Sequence, residues 1–491
     1  MYDVVIIGAG VIGGFVARNL AKYDLKIALL ERHSDVCNEA TKANSAIVHS
    51  GYNGKPGATK TWMTTQANAN FHNVCKELDV KFERCGSLMV AIDGKGEKKV
   101  REKYERGLGN QIPELQLISG EEALKLEPNL NPEVRIALYA PTTGIVNPWE
   151  FGIAAIENAV DNGVELFLNC EVNDIKRQED GLYQVCTKTE EFITRYVINC
   201  GGLHSHTIHN MISKPFFKIA PRRGEYIVLD KGTNHMSHVV FQGRGEDSPK
   251  GVIVVPTVDG NILVGPSTED VYGDYNVKTS REKLDGIRNV SANSIVDLPF
   301  DKTIRTFAGI RPRPQLFGYN PENGEMEYFE DGVKDFILGE PEDAPNFLNC
   351  AGTKSPALTC ADEIGKYTVE LLKKKETLIE KKDYNPIRRP LIRFNEMSPQ
   401  ERAGFIEANP EHSRIVCRCQ QVTEAEIVDV IHRNAGATTI DGVKRRAGSS
   451  LGRCQGGFCT SEVIKILARE LSIPEENVMK QEVGSYMVRG E

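Results

Sequence analysis

Four cysteines near the carboxyl end stand in two tight pairs. Cys417 and Cys419 are separated by one residue, Cys454 follows 35 positions after Cys419, and Cys459 comes five after that. Thiolates in this pattern are metal ligands, and soft sulfur selects zinc, copper(I) or iron–sulfur clusters. Four thiolates are the ligand set of an iron–sulfur cluster. The second pair lies within Gly452-Arg453-Cys454-Gln455-Gly456-Gly457-Phe458-Cys459, whose glycines leave backbone N–H groups free to bond cluster sulfurs. The pattern favours a 2Fe-2S cluster. Structural zinc is the alternative, although its cysteines usually have two to four residues between them. Disulfides are a third choice, disfavoured in a cytosolic protein.

A second chemical feature opens the chain. Gly8, Gly10 and Gly13 have G-x-G-x-x-G spacing and follow the apolar, β-branched run of residues 4–7. Phe15-Val16-Ala17-Arg18-Asn19-Leu20 then reads as a helix with an apolar face. In this strand–turn–helix context the first glycine makes the tight turn and the second lets backbone approach a pyrophosphate. The third lets helix and strand pack closely. The helix start offers N–H groups and a positive dipole end to the phosphates. A second apolar strand, residues 26–30, runs into Glu31, 18 residues past Gly13, close to where a carboxylate meets ribose hydroxyls. The turn specifies a dinucleotide and leaves both FAD and a nicotinamide open.

The elements that must position these groups mix helices and strands. Helices read at residues 60–79, 95–109, 149–161 and 280–296, and strands at 85–92, 164–168, 171–175 and 196–200. Small and amide residues dominate residues 41–46, Asn44 and Ser45 among them, so backbone there runs close to a ligand. His49 follows, and its neutral imidazole can accept a proton near pH 7. A histidine that only packs on the ligand is the alternative. Strands end in glycine again at Gly201-Gly202 and at Gly352, two further places where a strand end can approach a nucleotide. From Pro221 onward, short strands with turn signals predict an antiparallel sheet in a separate substrate domain. The expected fold class is α/β, a Rossmann-like nucleotide domain with an antiparallel-sheet substrate domain and a small helical domain around the cysteines. His204, His206 and His209 cluster without ligand spacing and read as surface or structural residues.

At 491 residues the chain exceeds one comfortable core, so two or three domains are expected. A net charge of −8 and a pI near 5.8 argue against nucleic acid as a partner. No apolar run reaches the roughly 18 residues of a spanning helix, and no charged n-region with an apolar h-region opens the chain. A cytoplasmic location is expected, with peripheral membrane association open through a partner. The other eight cysteines read as buried free thiols.

With these strand–glycine junctions in place, residues 1–375 resemble the FAD-dependent oxidoreductases of the D-amino-acid oxidase type. The matching pieces are the turn at residues 8–14 with Glu31-Arg32, Ala43-Asn44-Ser45, Asn199-Cys200-Gly201-Gly202 and Pro221-Arg222-Arg223-Gly224-Glu225-Tyr226. Ala308-Gly309-Ile310-Arg311-Pro312 and Cys350-Ala351-Gly352-Thr353-Lys354-Ser355-Pro356 complete them. Residues 414–480 are similar to bacterioferritin-associated ferredoxin in cysteine spacing.

The resemblance implies FAD rather than a nicotinamide. Its implied contacts are Gly8, Gly10, Gly13, Glu31, Arg32, Asn44, Ser45, Val172, Gly201, Gly309, Gly352 and Ser355. It implies an FAD domain of residues 1–85, 140–220 and 330–375, a substrate domain of 86–139 and 221–329, a linker of 376–413 and a 2Fe-2S domain of 414–491. The implied reaction is oxidation of a small anionic secondary alcohol, with His49 as base and Arg311 as the first anion-binding candidate. Arg223, Arg313 and Lys354 are further substrate-binding candidates. Within the family, His49-Ser50-Gly51, residues 85–91 and 143–146, and Arg223-Gly224-Glu225-Tyr226 look like L-2-hydroxyglutarate dehydrogenase. The ferredoxin-like tail looks like anaerobic glycerol-3-phosphate dehydrogenase, and the resemblance leans that way. An amino-acid or opine dehydrogenase, or a redox-sensing protein without turnover, are further alternatives. A cluster that takes one electron at a time implies a dehydrogenase feeding a partner subunit or carrier.

Overall fold

The computed structural model describes residues 1–232, 236–243, 251–271, 275–319, 326–328 and 335–489. The expected domain boundary at 329/330 lies outside them. The strand Tyr2–Ile7 pairs in parallel with Ile27–Leu30 on one side and Glu191–Asn199 on the other. Glu165–Phe167 and Phe347–Ala351 extend the parallel order outward. A hairpin, Val172–Arg177 with Tyr183–Thr187, joins antiparallel. Parallel strands are covered on both faces, which is why they read as continuous apolar runs, and Val4, Val5 and Ile6 are fully buried. The helices Val11–Leu20, Pro148–Asp161 and Ala361–Lys373 share one core with the sheet. Phe15 and Phe71 flank Phe151 at ring separations of 4.6 and 4.7 Å. Each such buried ring contributes about 1.5–3 kcal/mol by leaving water.

Among the described residues the second sheet has ten strands. Neighbours are antiparallel except Val239–Gln242, which lies parallel to Ser87–Ala91. Its spine is the pair Phe217–Leu229 and Thr303–Tyr319, with Arg222 opposite Arg311, Gly224 opposite Gly309 and Tyr226 opposite Phe307. The first of these strands starts at Phe217, four residues before Pro221, where the antiparallel sheet was expected to begin. Pro221, an apparent break, stands inside it directly opposite Pro312. The helix expected over 280–296 is Arg281–Ser291. Between the two cysteine pairs, Glu424–Ile431 forms one helix, Ala435 adopts a left-handed φ of 55°, and the chain restarts as Ile440–Ala447.

Residues 376–413 run across the nucleotide domain. Arg388, 2% exposed, pairs there with the buried Glu157. Arg393 reaches Asp79 and Glu150, each at 2.8 Å. The cysteine domain has its own core, including Ile427, Val443, Val463 and Leu467. It is anchored by Asp35, which accepts from Arg446 Nη2 at 2.6 Å and Nη1 at 2.9 Å, and also pairs with Arg445. Burial alone would raise the Asp35 pKa, but the two guanidiniums hold it below the usual carboxylate range. Among the described residues no helix is long and apolar enough to cross a membrane.

Candidate functional site

The ends of the central strands open on a cavity of about 360 Å³, within the range of cofactor pockets. Gly8 makes this possible. Its φ is +103°, and a β-carbon there would lie 2.6 Å from the Cys200 carbonyl oxygen. Gly8, Gly10, Glu31, Arg32, Asn44, Ser45, Val172, Gly201, Gly309 and Ser355 all line the cavity, as do His49, Arg311 and Lys354. Gly13 and Gly352 stand behind the lining. Gly13 seats the first helix on the turn, and Gly352 follows the strand Phe347–Ala351 and leads into Thr353-Lys354-Ser355, which do line it.

Local hydrogen bonds order the nucleotide end. Ala9 N–H donates to Glu31 Oε2 at 2.8 Å and His33 N–H to Glu31 Oε1 at 3.0 Å. Burial raises the Glu31 pKa, and those two N–H groups counter it. Val11 N–H donates to Thr41 Oγ1 at 3.0 Å. Asn44 accepts from Ala46 N–H and donates to the Thr41 carbonyl, both at 2.8 Å, which shapes the 41–46 loop. Gly309 lets a cap strand meet that loop, since a β-carbon there would lie 2.0 Å from the Ala43 carbonyl oxygen. Ser45 Oγ and Tyr226 OH share a hydrogen bond of 2.9 Å.

The other groups can do proton and anion chemistry. The half-buried His49 has its Nε2 3.1 Å from Ser355 Oγ, and its backbone N–H donates to Thr359 Oγ1 at 3.0 Å. Burial pushes its pKa down to about 4, so the ring is neutral at pH 7. Arg311 has no carboxylate partner among the described residues. Burial and the charges of Lys60, Arg311, Arg313 and Arg222 push the Lys354 pKa down to about 8. Arg222 lines the cavity and grips Asp270 through two bonds of 2.6 and 2.7 Å, and Arg313 lies 3.4 Å from the same carboxylate. The cavity therefore gathers positive charge, which favours an anion.

Two expected substrate residues stand elsewhere. Strand alternation turns Arg222 toward the cavity and Arg223 to the opposite face. There Arg223 pairs with Glu269 at 2.6 Å and donates to the Asn276 carbonyl at 3.0 Å. Arg313 is outside the lining. Sequence reasoning missed Arg222, although counting back in twos from Tyr226 and Gly224 would have found it. It also passed over His204, which lines the cavity 4.0 Å from Glu39.

The four cysteines come together on the other side of the domain contact. Sγ atoms of Cys417 and Cys419 are 3.8 Å apart, as are those of Cys419 and Cys454. Cys459 caps the start of the helix Thr460–Leu471, and Ser450 Oγ lies 3.3 Å from its sulfur. A β-carbon on Gly452 would meet Cys419 Sγ at 2.5 Å, so that glycine keeps room for sulfur. No three of the described His, Cys, Asp and Glu side chains converge on a single metal-ion position. Cys419 Sγ thus stands between two other sulfurs, at separations that thiolates sharing a metal centre take. Cys417 and Cys459 are buried, while Cys419 is exposed.

Comparison with known proteins agrees with both sites. Residues 3–371 match the family model described as FAD dependent oxidoreductase, and residues 415–469 match that of a BFD-like [2Fe-2S] binding domain. The chain is 44% identical, over its full length and 98% of the relative, to the glycerol 3-phosphate dehydrogenase of Caloramator mitchellensis. It is 32% identical over 286 residues to the mitochondrial L-2-hydroxyglutarate dehydrogenase of Bos taurus, covering 54% of this chain and 60% of that one. The solved L-alpha-glycerophosphate oxidase of Mycoplasma pneumoniae, dithionite-reduced with FAD bound, superposes with a TM-score of 0.71 at 29% identity. That match covers 80% of this chain and 99% of the other. FAD and a 2Fe-2S cluster are thus the cofactors of this oxidoreductase. The chain belongs to the FAD dependent oxidoreductase family and carries a BFD-like [2Fe-2S] binding domain behind its catalytic fold.

Proposed function

We propose that this enzyme is a dehydrogenase that oxidises glycerol 3-phosphate to dihydroxyacetone phosphate and delivers electrons through the cysteine site to a partner subunit or carrier. The observation that carries the reading is the pair of cations Arg311 and Lys354 beside a neutral His49 in one cavity. A phosphate monoester is close to a dianion at pH 7, since its second pKa is about 6. Arg311 and Lys354 hold that dianion, and its charge offsets their mutual repulsion. His49 Nε2 accepts the proton of the secondary hydroxyl, which takes the place of the Ser355 hydroxyl now 3.1 Å from that nitrogen, and the backbone bond to Thr359 holds the residue in place. Gly8, Gly10 and the start of the first helix hold the pyrophosphate of FAD, and Glu31 faces its ribose. Bound FAD supplies the hydride acceptor and the 2Fe-2S cluster a one-electron exit. We place the reaction in the cytoplasm, any membrane contact being made by the partner.

The test is anaerobic turnover with a dye acceptor, comparing glycerol 3-phosphate, glycerol and L-2-hydroxyglutarate. Two charge-assisted contacts at about 1.5–3 kcal/mol each set glycerol back by roughly 10²–10⁴ in kcat/KM. A higher kcat/KM for L-2-hydroxyglutarate, or equal use of glycerol, overturns the assignment.

A further inference from the structure

One face of one strand runs from the anion end of the cavity to the cysteine loops. Side chains alternate along Thr303–Tyr319, so Arg311, Gly309, Phe307 and Arg305 share a face. Directly opposite on Phe217–Leu229 stand Arg222, Gly224, Tyr226 and Val228. Arg311, Gly309, Gly224 and Tyr226 line the cavity. Beyond them the Tyr226 and Phe307 rings stack at 4.8 Å with an interplanar angle of 8°. Further along, Arg305 Nη1 donates to Gln455 Oε1 at 3.0 Å, beside Cys454. The end of Phe217–Leu229 adds two more contacts. Asp230 pairs with Arg453 at 3.1 Å, and Lys231 Nζ donates to Gln420 Oε1 at 2.9 Å, beside Cys419. Gly309 to Arg305 is four residues, about 13 Å of strand at ~3.3 Å each.

We propose that Arg305, Asp230 and Lys231 dock the cysteine loops onto this strand pair, turning the Cys419–Cys454 edge toward the cavity so that electrons cross along the Tyr226–Phe307 face. The proposal rests on the dehydrogenase reading. Oxidising one alcohol to a ketone releases two electrons and two protons. The protons go to solvent, and the electrons leave one at a time through the cysteine site to a one-electron acceptor. Arg305, Asp230 and Lys231 are positioning residues that touch neither substrate nor cofactor. Exposed polar pairs of this kind are individually weak, and the domain keeps its buried anchor at Asp35. Their loss therefore reorients the loops without detaching them.

The experiment uses the full-length holoenzyme with Arg305→Ala and Asp230→Ala combined. FAD and iron contents stay at the unmodified level, and glycerol 3-phosphate bleaches the flavin band at the unmodified rate. The reduced-cluster EPR signal after freeze-quenching appears roughly tenfold or more slowly, the scale on which a displacement on the order of 1 Å slows a geometry-sensitive step. A readout independent of turnover is amide hydrogen exchange over residues 449–457, which quickens in the oxidised variant. Asp230→Arg alone has the same effects, and adding Arg453→Asp reverses them. Unchanged cluster reduction in the double variant overturns the proposal. If no anionic alcohol bleaches the unmodified enzyme, the dehydrogenase reading fails separately, and photoreduced flavin then serves as electron source for the same comparison.

Discussion

Replacing Arg311 with alanine removes one cation from the proposed phosphate site and perturbs a second. The direct loss is one charge-assisted contact, about 1.5–3 kcal/mol, or roughly 10- to 150-fold in kcat/KM at about 1.4 kcal/mol per decade. Arg311 has no carboxylate partner among the described residues, so its removal strands no buried anion. Folding and FAD content therefore stay as they are. The indirect effect falls on Lys354, whose pKa burial and neighbouring cations, Arg311 among them, push down to about 8. Because kcat/KM reports the free enzyme, activity in the unmodified protein falls as pH rises through about 8, where Lys354 loses its proton and its pull on the phosphate. With Arg311 gone, one repelling charge disappears, the Lys354 pKa rises, and this alkaline fall moves to higher pH. The assay is anaerobic steady-state turnover across the alkaline range, with flavin absorbance as the control for cofactor content. Unchanged kcat/KM, or a loss that leaves the alkaline limb where it was, refutes the assignment of the two cations to one anion site.

Three other outcomes follow from the packing. Cys459→Ala removes a ligand from the cysteine site, so iron content and the EPR signal are lost while flavin bleaching by substrate persists. Arg388→Ala removes the nearer of the two cations at the buried Glu157 and leaves it only Arg433 at 3.8 Å, which costs up to about 3–5 kcal/mol and lowers the midpoint of chemical denaturation. His33 carries a pH signature. Burial opposes its charge, but hydrogen bonds to Glu39 and Glu482 prevail and raise its pKa from 6.5 to about 9. Its stabilising contribution is complete below pH 6.5 and is lost as pH rises through about 9, so His33→Gln flattens the decline in melting temperature over that interval.

What the sequence revealed was local. The glycine turn works because Gly8 and Gly13 must clear backbone atoms five positions apart, and the cysteine pairs work because a ligand set needs short spacing. Both signals are complete within a few residues. Register is different. Whether Arg222 or Arg223 faces the cavity depends on a single-residue step along a strand, and a step of one moves every side chain to the other face. The glycine at 224 carried that parity, but only once the strand was known to extend through Pro221. Contacts between distant segments left no local trace at all. Asp35 meets Arg445 and Arg446 across some four hundred positions, and neither end reads as other than a surface charge. The same holds for Arg388, which sits in a charged, proline-bearing stretch and is nonetheless among the most buried side chains in the molecule. The meeting of Arg305 with Gln455 is of this kind too, which is why the strand that links the two sites emerged only from the structure.

The central claim is that electrons from a phosphorylated alcohol enter at the cavity and leave through Cys417, Cys419, Cys454 and Cys459. Anaerobic titration of the holoenzyme with glycerol 3-phosphate, followed by flavin absorbance and EPR in the same samples, tests it most directly. The expected result is bleaching of the flavin band together with an EPR signal from a reduced 2Fe-2S cluster that vanishes in Cys459→Ala. Flavin that stays oxidised, or bleached flavin beside a cysteine site that stays EPR-silent when chemical reduction elicits its signal, would contradict it.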